Sequence, residues 1–275
     1  MKICRKERDH GQLFLPYVLW PNDCRIEKIY EGPPKEATMK KKEIVIRTAT
    51  SADVDGVLEL DHLVWVDFPT TKEKLQRRVE IFPQGNLVAV NTATGKIVGY
   101  LCLMFLDFEP AEFPCSWNEI TREGTIRTHN PEGKYMYGVA LTVHPDYSHI
   151  GAKLQIYGWG VGLGYHRLGC YLGSPIPGFA KWKEKNPELT VEDYVYRERN
   201  NGMPLDPELA YYKRSGFNIV RILPGYEPDP KSLDYGVLVY CSNVFYHVPT
   251  RVLRRLAGWA VKRWGFKTLR IVGVI

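Results

Sequence analysis

Apolar and polar residues alternate along one mid-chain segment, and the alternation predicts a strand that leads directly into a helix. The strand covers residues 135–143, and His144 with the following proline ends it. After Gly151 the pattern predicts a helix that runs to about Gly169. The start of such a helix presents unpaired backbone N–H donors with positive dipole character, so this junction suits a phosphate-bearing cofactor.

The elements on either side of this segment alternate between strands and helices. Upstream, the pattern predicts a strand at 43–47, a helix capped by the segment 50–55, a helix over 71–81 and a hairpin over 86–105 with Gly95 at its turn. Two long excursions, 107–134 and 175–207, flank the central segment, and the second contains a predicted helix at 190–199 with a capping box.

The central strand, loop and helix resemble the acyl-CoA-binding segment of the GNAT superfamily of N-acyltransferases. Further segments match that family in order: Cys170–Phe179, then Glu208–Phe217, which is close to an F-Y-x-x-x-G-F helix end, and then a final strand pair at 219–226 and 234–240. The resemblance covers roughly residues 43–241. It is greatest to GNAT domains that lie next to, or are fused to, nitrilase-type amidohydrolases.

This resemblance implies the fold and the domain organisation. The implied fold is α/β (α+β), the GNAT fold, in which helices flank a central mixed, largely antiparallel twisted sheet. Residues 1–42 are then an N-terminal arm, residues 43–241 the acyltransferase-like domain, and residues 242–275 a basic tail. The two excursions fall where they would wall an acceptor site.

The resemblance also implies an activity, the transfer of an acyl group, acetyl by default, from acyl-CoA to a primary amine. Backbone amides of Leu141 and Val143 would hold the pantetheine arm of CoA. The residues expected at its phosphates are Ser148, His149, Ile150, Gly151, Ala152 and Lys153. The implied co-substrate is acetyl-CoA or another acyl-CoA, with no metal.

Proton transfer needs an acid for the leaving thiolate and a base for the amine. By resemblance the acid is Tyr212, with Tyr211 one residue away, although an aromatic residue before Gly-Phe is also a common core residue. The base candidates are Glu109 and Glu112, which follow the hairpin; solvated loop carboxylates are the alternative interpretation.

The phosphate loop departs from the family pattern. His149 stands where the family has its first glycine, and about two residues are missing. Glycine lets backbone N–H groups approach a pyrophosphate closely, whereas a protonated histidine could contact a phosphate directly. Three interpretations stay open: acyl-CoA as donor, another donor such as a carrier-protein thioester, and a loop that binds no cofactor. A non-catalytic module that binds acyl-CoA or a membrane is the alternative to the enzyme.

Composition narrows the class of protein. No apolar run reaches the ~18 residues of a transmembrane helix, and residues 1–10 lack the apolar core of a signal peptide. The six cysteines are scattered without metal-ligand spacing, which predicts reduced thiols, no metal site and a cytoplasmic location. The net charge of +6 comes from residues 242–275, which hold seven Lys/Arg and no acid. The rest of the chain, residues 1–241, does not have the excess positive charge that is typical of a nucleic-acid-binding protein.

The tail predicts a basic amphipathic helix. At 100° per residue, basic and apolar side chains separate onto opposite sides, the basic ones being Arg251, Arg254, Arg255 and Lys262, and the apolar ones Leu253, Leu256, Ala257, Ala260 and Trp264, flanked by Trp259. This pattern suits peripheral contact with an anionic membrane, docking on the protein itself or at a homodimer interface, or an acidic partner. Membrane contact would favour a lipid-like amine acceptor or a long-chain acyl donor.

Overall fold

A computed structural model describes residues 44–66, 69–243, 245–248, 250, 252–254, 256 and 259. The predicted arm at residues 1–42 and most of the predicted tail lie outside the described residues, and the domain boundaries stay predictions. Within the described parts of the chain, no helix is long and apolar enough to cross a bilayer.

Seven strands form one mixed sheet in the order β1-β2-β3-β4-β5-β7-β6. The strands are β1 (Ile44–Thr48), β2 (Asn86–Asn91), β3 (Ile97–Leu106), β4 (Tyr135–Val143), β5 (Gly169–Pro175), β6 (Asn218–Leu223) and β7 (Gly236–Ser242). All neighbouring strands are antiparallel except β4 and β5, which are parallel. The predicted mixed, largely antiparallel sheet is confirmed.

Seven helices flank the sheet within the described ranges. They are α1 (Val54–Val64), α2 (Lys72–Ile81), α3 (Trp117–Thr121), α4 (Ile150–Gly164), α5 (Phe179–Lys185), α6 (Val191–Val195) and α7 (Pro207–Arg214). The predicted helix over 71–81 is confirmed, and the Thr71 side chain caps it by accepting a hydrogen bond from the Lys74 N–H. The predicted hairpin is also confirmed, with Gly95 at a φ of 72°.

Two helices end earlier than the sequence predicts. The predicted end of α4 at about Gly169 is wrong because His166 adopts a φ of 57°, which breaks the helix and turns the chain into β5. The predicted helix over 190–199 stops at Val195, since Glu198 forms a β-bridge with Pro204 instead. Its predicted capping box is present.

Helices pack on both faces of the sheet, as contacts around β3 and β4 show. On one face α4 lies very close to the sheet: a Cβ at Gly158 would approach the Leu101 side chain to 2.7 Å, and one at Gly162 would approach Met136 to 2.6 Å. Close helix packing therefore explains two of the α4 glycines. On the other face the Tyr100 hydroxyl donates to Asn86, beside the buried Arg78 of α2.

Candidate functional site

The parallel strands β4 and β5 pair over only part of their length. Pairing runs from Tyr135–Gly169 to Gly138–Leu172 and then stops, although both strands continue. At the same point Val139 is an extra residue in the ladder with β3, a β-bulge, and bulges turn a strand and are frequent beside active sites. The unpaired ends, residues 139–143 of β4 and 173–175 of β5, border a gap called the cleft below.

The backbone of β4 presents hydrogen-bonding groups to the cleft. The His144 N–H donates to the Val98 carbonyl of β3 at 3.0 Å. Every second residue of β4, counted back from His144, therefore points its backbone N–H and C=O groups toward β3. Because strand residues alternate, the N–H and C=O groups of Leu141 and Val143 point away from β3 and toward the cleft. These are the two residues predicted to hold the pantetheine arm.

A tight turn connects β4 to α4. Residues 145–147 form a short 3₁₀ turn, and the His144 ring accepts a hydrogen bond from the Asp146 N–H at 3.2 Å. Ile150 is fully buried near Gly99 of β3, and Gly151 is buried beside it. Both can therefore offer a ligand only backbone groups.

The remaining predicted phosphate residues surround the start of α4. Ser148 and Ala152 are half-buried, whereas the basic side chains of His149 and Lys153 are exposed. Partial burial and the nearby Lys153 charge lower the pKa of His149, so its imidazole is neutral at pH 7 without a ligand. The exposed imidazole does not extend into the protein interior. A bound anion would favour its protonated form.

The structure brings one of the two candidate tyrosines to the cleft. Tyr212 of α7 is only 6% exposed and lies beside Ser174 of β5, on the cleft border. Burial raises the pKa of Tyr212, so the phenol stays protonated and can serve as a proton donor. Tyr211 instead donates to Gln155 of α4 at 3.1 Å.

The structure places Glu109, one of the two predicted bases, away from the cleft. Glu109 is exposed, lies 3.6 Å from the Lys134 ammonium and accepts a 3.4 Å hydrogen bond from Tyr135. Tyr135 begins β4 where the strand is still paired with β5, four residues and so about 13 Å before Val139. Glu112 is exposed in the same loop as Glu109.

A group of aromatic side chains that the sequence did not single out as a site borders the cleft. The Trp117 indole donates to the Val139 carbonyl at 3.2 Å, and the Trp117 backbone N–H donates to the Tyr226 carbonyl at 2.9 Å. The Tyr226 and Tyr137 hydroxyls lie 3.4 Å apart, and a Cβ at Gly173 of β5 would approach the Tyr226 hydroxyl to 2.5 Å. The Trp117 indole thus satisfies a β4 carbonyl where the two strands no longer pair.

Glu227 was also missed from sequence. It follows Tyr226, and its charge raises the pKa values of both Tyr137 and Tyr226, which places it beside this aromatic group. Burial, with a smaller effect of Asp229, raises the pKa of Glu227 to about 7. A carboxyl group with such a pKa is suited to act as a base near neutral pH.

Glu208 has a similar environment near the acid. It lies one helical turn before Tyr212, and burial, with a smaller effect of Asp206, raises the pKa of Glu208 to about 7. Both glutamates are half-buried, and no sequence pattern signals this burial.

The cleft connects the two faces of the sheet. Tyr212 lies on the α4 side, since its neighbour Tyr211 bonds to α4. Trp117 lies on the α2 side, because a Cβ at Gly124 would meet both Trp117 at 2.8 Å and Arg78 of α2 at 3.1 Å. A proton donor and the carboxyl of Glu227 are therefore available from opposite sides of one gap.

The excursion at 175–207 borders a second feature, a cavity of about 440 Å³. Its walls come from this excursion and from the segment 222–235 that also carries Glu227; they are Phe179, Lys183, Thr190, Val191, Glu192, Ile222, Pro224, Leu233 and Tyr235. In the part of the chain that the structure covers, no group of three or more His, Cys, Asp or Glu residues could hold a metal ion.

Comparison with known proteins identifies two relatives from Bacillus subtilis. The chain is 29% identical over 223 residues to an uncharacterized N-acetyltransferase, YkwB, a match that covers 75% of this chain and 92% of YkwB. It is 30% identical over 215 residues to a probable hydrolase, YhcX, covering 77% of this chain but only 41% of YhcX. No family model matches the chain.

Two solved structures are similar in fold. The loading GNATL domain of CurA from Lyngbya majuscula has a TM-score of 0.60 at 20% identity, covering 72% of this chain and 97% of that domain. The GphF GNAT-like decarboxylase, solved in complex with isobutyryl-CoA, has a TM-score of 0.59 at 25% identity, covering 72% and 98%. The chain therefore has the GNAT fold.

Proposed function

We propose that the protein is an N-acyltransferase that moves an acyl group, acetyl by default, from acyl-CoA to the primary amine of an acceptor. The observation that carries this proposal is the cleft, in which β4 stops pairing with β5 at a bulge, exposes backbone groups and leads directly into α4. The similarity to YkwB supports the same activity. The partial match to YhcX agrees with a link to hydrolase-associated GNAT domains.

Residues of the cleft and the α4 start fit an acyl-CoA substrate. The backbone groups of Leu141 and Val143 face the gap and can bond the amides of the pantetheine arm. The positive end of the α4 dipole, with exposed His149 and Lys153, suits the phosphates. Because the Ile150 side chain is buried and Gly151 has none, specificity for phosphate rests on backbone donors and these two basic groups.

The opposite placement of Glu227 and Tyr212 gives each a distinct role. Glu227 takes the proton of the acceptor amine, whose nitrogen forms a bond to the thioester carbonyl carbon. The carbon–sulfur bond then breaks, and Tyr212 donates its proton to the leaving thiolate. Burial keeps the Tyr212 phenol protonated, while a pKa of about 7 lets Glu227 accept a proton near neutral pH.

The acceptor enters from the α2 side in this proposal. Trp117 and Tyr226 lie along that route. Small-molecule and lipid-like amines are both compatible with this aromatic border.

Calorimetric titration of the full chain with acetyl-CoA, and then with longer acyl-CoAs, tests the proposal. We expect saturable binding, which Lys153→Glu weakens about tenfold because it reverses a charge at the phosphate end. Lys181→Glu, an exposed lysine on α5, is the matched control and leaves binding unchanged. Failure of every acyl-CoA to bind would refute the proposal.

A second candidate reaction is the decarboxylation of a carboxyacyl-CoA, favoured by the similarity to the GphF GNAT-like decarboxylase. It would use the same cleft, with CO₂ lost and a proton added to the remaining acyl carbon. Incubation with malonyl-CoA in the absence of an amine distinguishes the two. Appearance of acetyl-CoA and CO₂ supports decarboxylation, whereas CoA release that requires an amine supports transfer.

A further inference from the structure

The segment after β7 is fixed to the body near the end of α4. The Asn243 N–H donates to Leu168 at 2.8 Å, and its side chain donates to Arg167 at 2.7 Å. The His166 ring stacks on Tyr246 with centroids 4.4 Å apart, and its Nε2 lies 2.6 Å from the Tyr246 carbonyl. These contacts determine where the C-terminal helical segment, described at residues 252–254, 256 and 259, leaves the body.

The apolar residues that the structure describes in this helical segment are exposed, whereas Arg254, its described basic residue, is partly covered. Arg254 is half-buried, and its guanidinium donates to the Val248 carbonyl at 3.0 Å. By contrast, Leu253 is 48% exposed and Leu256 is 55% exposed. A helix that docks on its own protein shows the reverse arrangement, with apolar residues inward. The exposed apolar side is therefore available to another surface.

We propose that this apolar side docks on an anionic lipid bilayer. Charge selects this occupant: residues 242–275 hold seven Lys/Arg and no acid, so the segment is attracted to a negative surface. Exposed leucines can then enter the boundary between headgroups and acyl chains, and Trp259, which is 57% exposed, has the amphipathic ring common at that depth.

Membrane docking is compatible with the cleft in this geometry. The segment leaves the body near the C-terminal end of α4, whereas the phosphate-binding turn lies at its N-terminal end. The 15 residues of α4 separate these points by about 22 Å. A bilayer at one end therefore leaves the other end open to solvent. The proposal does not depend on acyl transfer, since it concerns a surface outside the cleft.

Co-sedimentation of the full chain with vesicles tests the proposal. The vesicles are phosphatidylcholine alone, or phosphatidylcholine with about one quarter phosphatidylglycerol, and the variant is the double substitution Leu253→Asn with Leu256→Asn. The matched control is Leu63→Asn, an α1 leucine that is 53% exposed. Both substitutions are neutral and at the surface, so circular dichroism should show folded protein for each.

We expect the unmodified chain and the control to sediment with anionic vesicles and not with neutral ones. The double variant should bind at least about tenfold more weakly, because it removes two apolar side chains from the bilayer boundary. Equal sedimentation of the double variant would overturn the proposal. So would a dimer, measured by analytical ultracentrifugation without lipid, that the double variant converts to monomer, because a second copy would then cover this surface.

Discussion

Replacing Glu227 with glutamine should change how the free energy of unfolding depends on pH. The folded protein holds the Glu227 proton up to a pKa of about 7, whereas the unfolded chain loses it near the ordinary value of 4.5. Between these values the folded state binds more protons, so stability from this group is present at low pH and is lost as pH rises. Glutamine is neutral throughout and removes this dependence.

The expected magnitude follows from the two pKa values. A difference of about 2.5 pKa units corresponds to about 3.4 kcal/mol over the full titration, of which up to about 2.5 kcal/mol falls between pH 5 and pH 8. Relative to the unmodified protein, Glu227→Gln should thus be more stable by about 0.8 kcal/mol at pH 5 and by about 3.3 kcal/mol at pH 8.

Urea unfolding at pH 5 and at pH 8 measures this difference. Glu59→Gln, an exposed glutamate on α1, serves as the control and should show almost no pH-dependent difference from the unmodified chain. If Glu227→Gln and Glu59→Gln behave alike, the Glu227 carboxyl is not buried in a way that disfavours its charge. Its assignment as a base poised near neutral pH would then be wrong.

Three further predictions concern the cleft. Tyr212→Phe should lower kcat about 100-fold with little change in KM, because it removes the proton donor, while Tyr211→Phe should have little effect; equal effects in a steady-state assay would argue against the acid. Trp117→Phe should reduce the free energy of unfolding by about 1–2 kcal/mol in urea titrations, since the Val139 carbonyl loses its donor, and an unchanged value would mean that water replaces the indole. The pKa of His149, followed by NMR, should lie below 6.5 in the free protein and rise when CoA binds, because a phosphate favours the imidazolium. A CoA-independent value would show that the phosphates bind elsewhere.

Local signals in the sequence were enough to predict several elements. The helix over 71–81, the turn at Gly95 and the Thr190 capping box depend on contacts within a few residues, and all three are present. The α4 end was wrong because His166 takes a left-handed conformation, which depends on how the chain enters β5 rather than on local preference.

The candidate site could be predicted only in part, for the same reason. Leu141 and Val143 are adjacent in sequence to the turn that leads into α4, so their common location follows from the strand itself. Glu109 seemed a reasonable base from its position after the hairpin, yet in the structure it contacts Lys134 at the paired end of β4. The order of residues along the chain does not show how far Glu109 lies from the cleft along the sheet.

By itself, the sequence determined the alternation of strands and helices, the order of the cofactor segment and the basic character of the tail, because each of these depends on short-range pattern or on composition. Only the tertiary structure decided that Trp117 and Glu227, which are 110 residues apart, meet at one cleft, and that the tail turns Leu253 outward. Burial and proximity between distant segments arise from packing of the whole sheet, and this packing also sets the pKa of Glu227.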